Sequence, residues 1–254
     1  MPSRFYVPLP LRADQVLALP SAAARHVQVL RMQPGDALSL FDGAGAEWAA
    51  RIVRIGRSDV EVLSLSALQP SPELACAVTL AIGMPTNERM DWLVEKATEL
   101  GVAALQPLVC ERSVLRVDGE RAAKKTAHWQ AVSVAACEQS GRATVPLVAP
   151  VQALQAWLKG LPPRLPGATP AASDWRGILS LNAGRPLALL LQGKPLPSRA
   201  VFLSGPEGGL TIAEEETALG AGFVPVSLGS RTLRADTAPL AALSWIGLTD
   251  AANR

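Results

Sequence analysis

Residues 200–209 read Ala200-Val201-Phe202-Leu203-Ser204-Gly205-Pro206-Glu207-Gly208-Gly209, a short apolar run that breaks into a glycine-rich turn. Four consecutive apolar residues without alternation match a strand buried on both faces, as in a parallel sheet. Beyond the turn, the apolar spacing of Ile212–Leu219 fits a helix. Strand, glycine loop and helix form the repeating unit of an open α/β sheet, which binds ligands at the carboxyl ends of its strands. The glycines allow close backbone approach, and amides at the following helix start can donate to a ligand. Glu207 adds a negative charge, which suits a cationic ligand better than a phosphate.

The same rhythm extends in both directions. Downstream, Phe223–Leu228 reads as a second buried strand, followed by Gly229-Ser230-Arg231-Thr232-Leu233-Arg234-Ala235-Asp236 and a helix over Thr237–Thr249. Pro239 falls in the first turn of that helix, where its missing N–H costs little. Upstream, Leu187–Leu191 reads as a third buried strand. Residues 160–185, rich in Gly, Pro, Ala and Ser, read as a loop or insertion. Strands over Ala77–Ile82, Ala104–Cys110 and Val145–Ala149 alternate with helices over Glu88–Leu100, Glu120–Gln139 and Val151–Leu158. An α/β domain with a mainly parallel sheet follows for residues 74–254.

Residues 1–69 differ. Ala37–Phe41, Glu47–Ile55 and Val60–Leu65 are short strands separated by glycine turns, the pattern of a small β-barrel. Residues 70–73 read as a linker, because Gln69-Pro70-Ser71-Pro72 cannot continue a central strand or helix.

Composition narrows the function classes. The 254 residues are 49% hydrophobic and 18% charged, with net charge +2, which describes a folded chain and no general polyanion binder. No stretch approaches the ~18 apolar residues of a membrane span. The start, MPSRFYVPLP, lacks a signal-peptide core, so a cytoplasmic location is expected. Cys76, Cys110, Cys137, His26 and His128 fall at no zinc-ligand spacing, and no metal is expected. Gly43-x-Gly45 and Gly220-x-Gly222 lack the third glycine of a dinucleotide fingerprint, and Gly193-Lys194 lacks the rest of a P-loop. There is no GxSxG elbow.

Five segments, taken in order, are specific as a set: Lys96-Ala97-Thr98-Glu99-Leu100-Gly101, Glu111-Arg112-Ser113, Ala136-Cys137-Glu138-Gln139-Ser140-Gly141-Arg142, Gly205-Pro206-Glu207-Gly208-Gly209-Leu210 and Leu228-Gly229-Ser230-Arg231-Thr232-Leu233-Arg234. The set resembles the RsmE family of bacterial small-subunit (16S) ribosomal RNA uridine-N3 methyltransferases, of the SPOUT superfamily. Arg4-Phe5-Tyr6 and His26-Val27-Gln28-Val29-Leu30-Arg31 extend the match to the N-terminus. The resemblance implies an N-terminal PUA-like RNA-binding barrel, a C-terminal SPOUT domain with a trefoil knot, and a homodimer. It implies S-adenosylmethionine held by Ser204, Gly205, Pro206, Glu207, Gly208 and Gly209, by Leu228, Gly229, Ser230 and Leu233, and by a third contribution at Leu191. RNA contacts are expected from Arg4, Arg25, His26 and Arg31 on the barrel, and from Arg112 and Arg142. His26 reads equally well as a core histidine. Where the family commonly has R-T-E-T, this chain has Arg234-Ala235-Asp236-Thr237.

The implied chemistry is an in-line displacement in which uracil N3 attacks the cofactor methyl. Charge then grows on O2 and O4, and Arg234 first, Arg231 second, are the guanidinium groups expected to stabilise it. Glu207 and Asp236 are the candidates for a general base. The target base must be unpaired or flipped out, within small-subunit rRNA in the assembled subunit. Arg121, Lys124, Lys125 and His128 share one helical face, read either as a phosphate track or as a solvated surface. Two rival readings stay open here: a SPOUT enzyme acting on another RNA such as tRNA, and a catalytically silent RNA-binding assembly module.

Overall fold

A computed structural model describes residues 2–70, 72–162, 174–180, 184–192 and 195–252. The chain divides into two compact units, Met1–Glu73 with Val134–Val145, and Leu74–Ser133 with Pro146–Arg254. Among the described residues no helix is long and apolar enough to cross a membrane.

The first unit holds β1 (Ser3–Tyr6), β2 (Gln15–Ala18), α1 (Ser21–Val29), β3 (Ala37–Phe41), β4 (Glu47–Ile55) and β5 (Val60–Leu68). These strands form a five-stranded sheet in the order β1-β3-β4-β5-β2, with β1 and β3 parallel and the other pairs antiparallel. Alternation sends Leu38 and Leu40, then Val60 and Val62, into one core with Phe5 and Ile52. Ala23, Ala24 and Val27 give α1 a narrow apolar face against that core. β1, β2 and α1 were not anticipated from sequence. Each four-residue strand buries one residue, Phe5 or Leu17, too little for a pattern to register.

The second unit contains β6 (Ala77–Gly83), α2 (Asn87–Glu99), β7 (Ala104–Val109), most of α3 (Gly119–Ser140), β8 (Leu147–Val148), β9 (Gln152–Ala153), α4 (Leu154–Gly160), β10 (Trp175–Leu179), β11 (Arg185–Pro186), α5 (Leu187–Leu191), β12 (Arg199–Ser204), α6 (Ile212–Gly220), β13 (Val224–Ser227) and α7 (Thr237–Ala252). The sheet order is β11-β13-β10-β12-β6-β7-β8, with β9 also on β7, and these pairings are all parallel. Side chains alternate between two covered faces. Val78, Leu80, Ile82, Ala200 and Phe202 pack with α2 and α7, whereas Ala81, Val201 and Leu203 pack with Leu154 and Leu158 of α4 and Ala218 of α6. Burial on both faces is why these strands read as unbroken apolar runs.

Two sequence expectations need correction. Leu187–Leu191 is a helix and not a strand; Leu187 and Leu191 are buried while Leu189 is 55% exposed, the one-sided burial of an i, i+4 pair. A five-residue apolar run does not by itself separate the two structures. The third strand is instead β10, inside the segment read as a loop. Arg176 and Gly177 disguise it. The Arg176 guanidinium is buried, donating to the carbonyls of Ala221 and Pro162 at 2.8 Å each. Residues 163–173 and 181–183 of the expected 160–185 loop, Ser71 of the expected linker, and Gly193-Lys194 lie outside the described residues.

Residues 134–145 join the first unit although they follow β7 and most of α3 in the chain. Val145 N–H donates to the Gly43 carbonyl at 2.9 Å, and Cys137 and Ala143 pack on Phe41. A boundary drawn at residues 70–73 leaves this piece out, because contact in three dimensions recruits it and chain order does not.

Candidate active site

The register of β12, β10 and β13 sets the site. Leu203 pairs with Ile178, and Leu179 with Val226, so three neighbouring parallel strands end at one edge of the sheet. Their carboxyl ends surround a cavity of about 690 Å³. The loop Ser204–Leu210 forms one wall, Ser227–Ala235 another, and Leu179 with Ser180 a third.

The first loop is shaped for backbone recognition. A Cβ on Gly205 would fall 2.9 Å from Gly209 C and Leu210 N, and Gly209 adopts φ +69°, the left-handed region that favours glycine. Three contacts hold the loop in place. Arg112 Nη1 donates to the carbonyls of Gly208 and Leu210 at 3.0 and 3.3 Å. Glu207 Oε1 accepts from the Thr86 amide at 3.0 Å. Glu214, 1% exposed, accepts from the amides of Glu111 and Thr211 at 2.8 and 2.9 Å. Thr211 Oγ1 in turn accepts from Glu214 N at 3.3 Å, completing a capping box at the start of α6. Nearby, burial pushes the Cys110 thiol up to about 12, so it stays protonated and takes no part as a nucleophile at neutral pH.

The second loop is more open. Arg231 and Arg234 are exposed, line the cavity, and have no side-chain hydrogen bond or ion pair among the described residues. The Arg234 carbonyl accepts from Thr237 and Ala238 N–H at 3.0 Å, which fixes its backbone at the start of α7. Four arginines, at positions 89, 112, 231 and 234, share the lining with Glu207 and Glu215.

Ser204 to Gly209, Leu228 to Ser230, Arg231, Leu233 and Arg234 all line the cavity as expected of a shared site. Leu191 does not; it is 7% exposed and belongs to the hydrophobic core, and Leu179 and Ser180 stand where it was expected. Asp236 is also outside the lining, 8% exposed and 3.3 Å from Arg89. Arg89, Leu179 and Ser180 were missed. The only signal for Arg89 was its place in the first turn of α2, after a strand end.

The expected RNA contacts separate. Arg25, His26 and Arg31 are exposed, and His26 sets its ring edge-on to Phe5 at 5.5 Å rather than entering the core. Arg4 and Arg142 are turned inward. Arg4 donates to Glu47 at 2.9 and 3.0 Å and to the carbonyls of Cys137 and Arg142, and Arg142 donates to both oxygens of Glu73. Both guanidinium groups are consumed within the first unit, and Arg112 spends its Nη1 on the glycine loop. Among the described residues no cluster of His, Cys, Asp and Glu is arranged to hold a metal ion.

Residues 72–247 match the family model of an RNA methyltransferase domain, and residues 19–63 that of an RNA methyltransferase PUA domain. The chain is 35% identical over 234 residues to the ribosomal RNA small subunit methyltransferase E of Synechocystis, covering 92% of this chain and 73% of that protein. Its counterpart in Bacillus subtilis is 33% identical, covering 87% and 84%. Among solved structures, the Neisseria gonorrhoeae methyltransferase E bound to S-adenosyl methionine is 39% identical, with TM-score 0.88 and 98% of both chains covered. A Legionella pneumophila methyltransferase in complex with the same cofactor is 32% identical, also with TM-score 0.88 and 98% of both chains.

Proposed function

The chain belongs to the ribosomal RNA small subunit methyltransferase E family, and from that premise we infer that it transfers a methyl group from S-adenosylmethionine to N3 of a uridine in small-subunit (16S) ribosomal RNA. The observation that carries this reading is the glycine cradle at the ends of β12, β10 and β13, next to two arginines that have no partner among the described residues.

The cavity fits the cofactor. Its walls offer backbone amides and carbonyls with no side chain at Gly205, Gly208, Gly209 and Gly229, and about 690 Å³ is ample for a nucleoside with an amino-acid tail. Ser204–Gly209, Leu228–Ser230 and Leu233 would hold it, with Leu179 and Ser180 as the third wall. When bound, S-adenosylmethionine supplies an electrophilic methyl on a sulfonium. Arg234 and Arg231 hold negative charge on the uracil edge, where a fixed cation in a cavity acts more strongly than in water. Glu207 retains one carboxylate oxygen beyond the one accepting from Thr86 N–H, and is the remaining candidate base. Asp236, withdrawn from the cavity, is no longer one.

Supporting features extend beyond the cavity. Arg25, His26 and Arg31 present a basic edge on the unit that carries the PUA match, which supports RNA contact there. The order β13-β10-β12 takes the chain from one side of β10 to the other, which supports the trefoil knot. A homodimer is carried over from the family resemblance. The substrate is assigned to the assembled small subunit, in the cytoplasm.

The test is methyl transfer from labelled S-adenosylmethionine to unmodified small subunits, naked small-subunit rRNA and bulk tRNA, with nucleosides identified by mass spectrometry. N3-methyluridine from subunits or their rRNA is the expected product. Label in tRNA alone would overturn the substrate. Binding of the cofactor with no transfer to any of the three would favour a silent RNA-binding module.

A further inference from the structure

Asp236 occupies a poor place for a group that must take a proton from a substrate, being 8% exposed and outside the cavity lining. Its Oδ2 instead accepts from Nη1 of Arg89 at 3.3 Å, joining the start of α7 to the first turn of α2 across 147 positions of chain. Arg89 does line the cavity. Its side chain is 34% exposed against 12% for the carboxylate, so the pair has a direction, with the acid behind and the guanidinium in front.

A second bond fixes the same helix end. The Thr86 amide, at the N-cap of α2, donates to Glu207 Oε1 at 3.0 Å. Each of the two long loops around the cavity therefore supplies one carboxylate to the start of α2, Glu207 to the Thr86 amide and Asp236 to Arg89. Arg231 and Arg234, exposed and without a partner among the described residues, must lose side-chain freedom on meeting a ligand, whereas Arg89 is already tied to Asp236.

Resting on the methyl transfer inferred above, we propose that Arg89 is the pre-aimed guanidinium that meets the negative charge on the target uracil as its N3 proton passes to Glu207, the candidate base. Asp236 is a positioning residue that acts only through Arg89. A pre-oriented donor of this kind spends no reorganisation at the moment charge develops.

The experiment uses the full chain with Arg89→Ala, Arg89→Lys, Asp236→Asn and the Arg89→Ala/Asp236→Asn double variant. It measures kcat and KM on small-subunit rRNA, cofactor affinity by calorimetry, and thermal midpoints. Arg89→Ala should lower kcat on the order of 10²-fold, leaving the KM for RNA and the cofactor affinity unchanged. Arg89→Lys should recover part of the rate, and Asp236→Asn should lose less than Arg89→Ala. The double variant should be no slower than Arg89→Ala alone, the signature of one residue acting through another.

Loss of cofactor affinity in Arg89→Ala would make it a clamp on the cofactor carboxylate and overturn the proposal. A rise in KM alone would make it a phosphate contact, with the same consequence. Additive losses in the double variant would restore an independent role to Asp236 and remove the positioning claim. Should Arg89→Ala fail to fold, the kcat-to-KM split in Arg89→Lys and Asp236→Asn decides the same question. Wild-type transfer in the same assay tests the proposed function separately; an inactive wild type would overturn both.

Discussion

In the first unit, Arg4 and Arg142 have side chains 8% and 9% exposed and are neutralised by Glu47 and Glu73, whereas in the cavity of the second unit Arg231 and Arg234 are exposed and unpaired among the described residues. From sequence, Arg4 and Arg142 read as RNA contacts and Arg231 and Arg234 as the groups that stabilise charge on the target base. The difference lies in what each side chain has left to offer. A guanidinium has five donors, and Arg4 gives donors to both oxygens of Glu47 and to the carbonyls of Cys137 and Arg142. Such a group holds the segment 134–145 onto the sheet. An arginine without internal partners keeps its donors for a ligand.

The sharpest way to break this comparison is Arg4→Ala. It strands the Glu47 carboxylate, which is only 10% exposed, and removing one partner of a buried pair costs about 3–5 kcal/mol. Denaturant unfolding should show that loss, with methyl transfer per folded molecule retained. An unchanged midpoint with weakened RNA binding would return Arg4 to the RNA-contacting set.

Arg234→Ala comes next and should act in the opposite sense. Its expected cost is a 10²–10³-fold fall in kcat, about 3–4 kcal/mol, with stability and cofactor affinity little changed. Calorimetry beside single-turnover transfer checks it. Abolished cofactor binding with normal turnover at saturation would remove Arg234 from the charge-stabilising role.

A smaller effect sharpens the comparison at the edge of the Arg4 network. Burial pushes the Glu138 carboxyl above the ordinary carboxylate range, against the opposing effect of the Tyr6 amide that donates to it at 3.1 Å. A folded-state pKa above the unfolded one gives stability at acid pH that is lost as pH climbs through the raised value. Glu138→Gln keeps an acceptor for Tyr6 N–H and removes that loss. The variant should gain on wild type between acid and neutral pH, by less than ~1 kcal/mol at this half-buried, partly screened site. Unfolding curves across that range measure it, and a gain largest at acid pH would contradict the sign.

The smallest expected signal is none. Burial pushes the thiols of Cys76 and Cys137 up to about 11 and that of Cys110 up to about 12, so alkylation of the native protein at pH 8 should leave all three unmodified until the chain unfolds. Labelling of Cys137 in Arg4→Ala but not in wild type would show the 134–145 segment loosening first.

Much of the site was legible because it is local. Ser204–Gly209 and Leu228–Arg234 each lie within one loop, and a strand, a glycine turn and a helix follow one another in the chain. β12, α6, β13 and α7 were readable to within a few residues for the same reason. β10 was not, since Arg176 and Gly177 interrupt the apolar run that marks a buried strand. The burial of that arginine is made possible by carbonyls at Ala221 and Pro162, partners that chain order does not announce.

The alternation of parallel strands and helices, the two loops that wall the cavity, and the family to which the chain belongs were all readable in the amino-acid sequence. Those properties reside in short-range periodicity, in glycine's freedom at a turn, and in ordered motifs. Folding decided which arginines are spent and which have no partner among the described residues, that Leu179 and Ser180 form the third wall, and that Asp236 stands behind Arg89. Each of these depends on a partner that folding brings close. Whether a charged group is available is set by that partner and by burial, neither of which a linear pattern encodes.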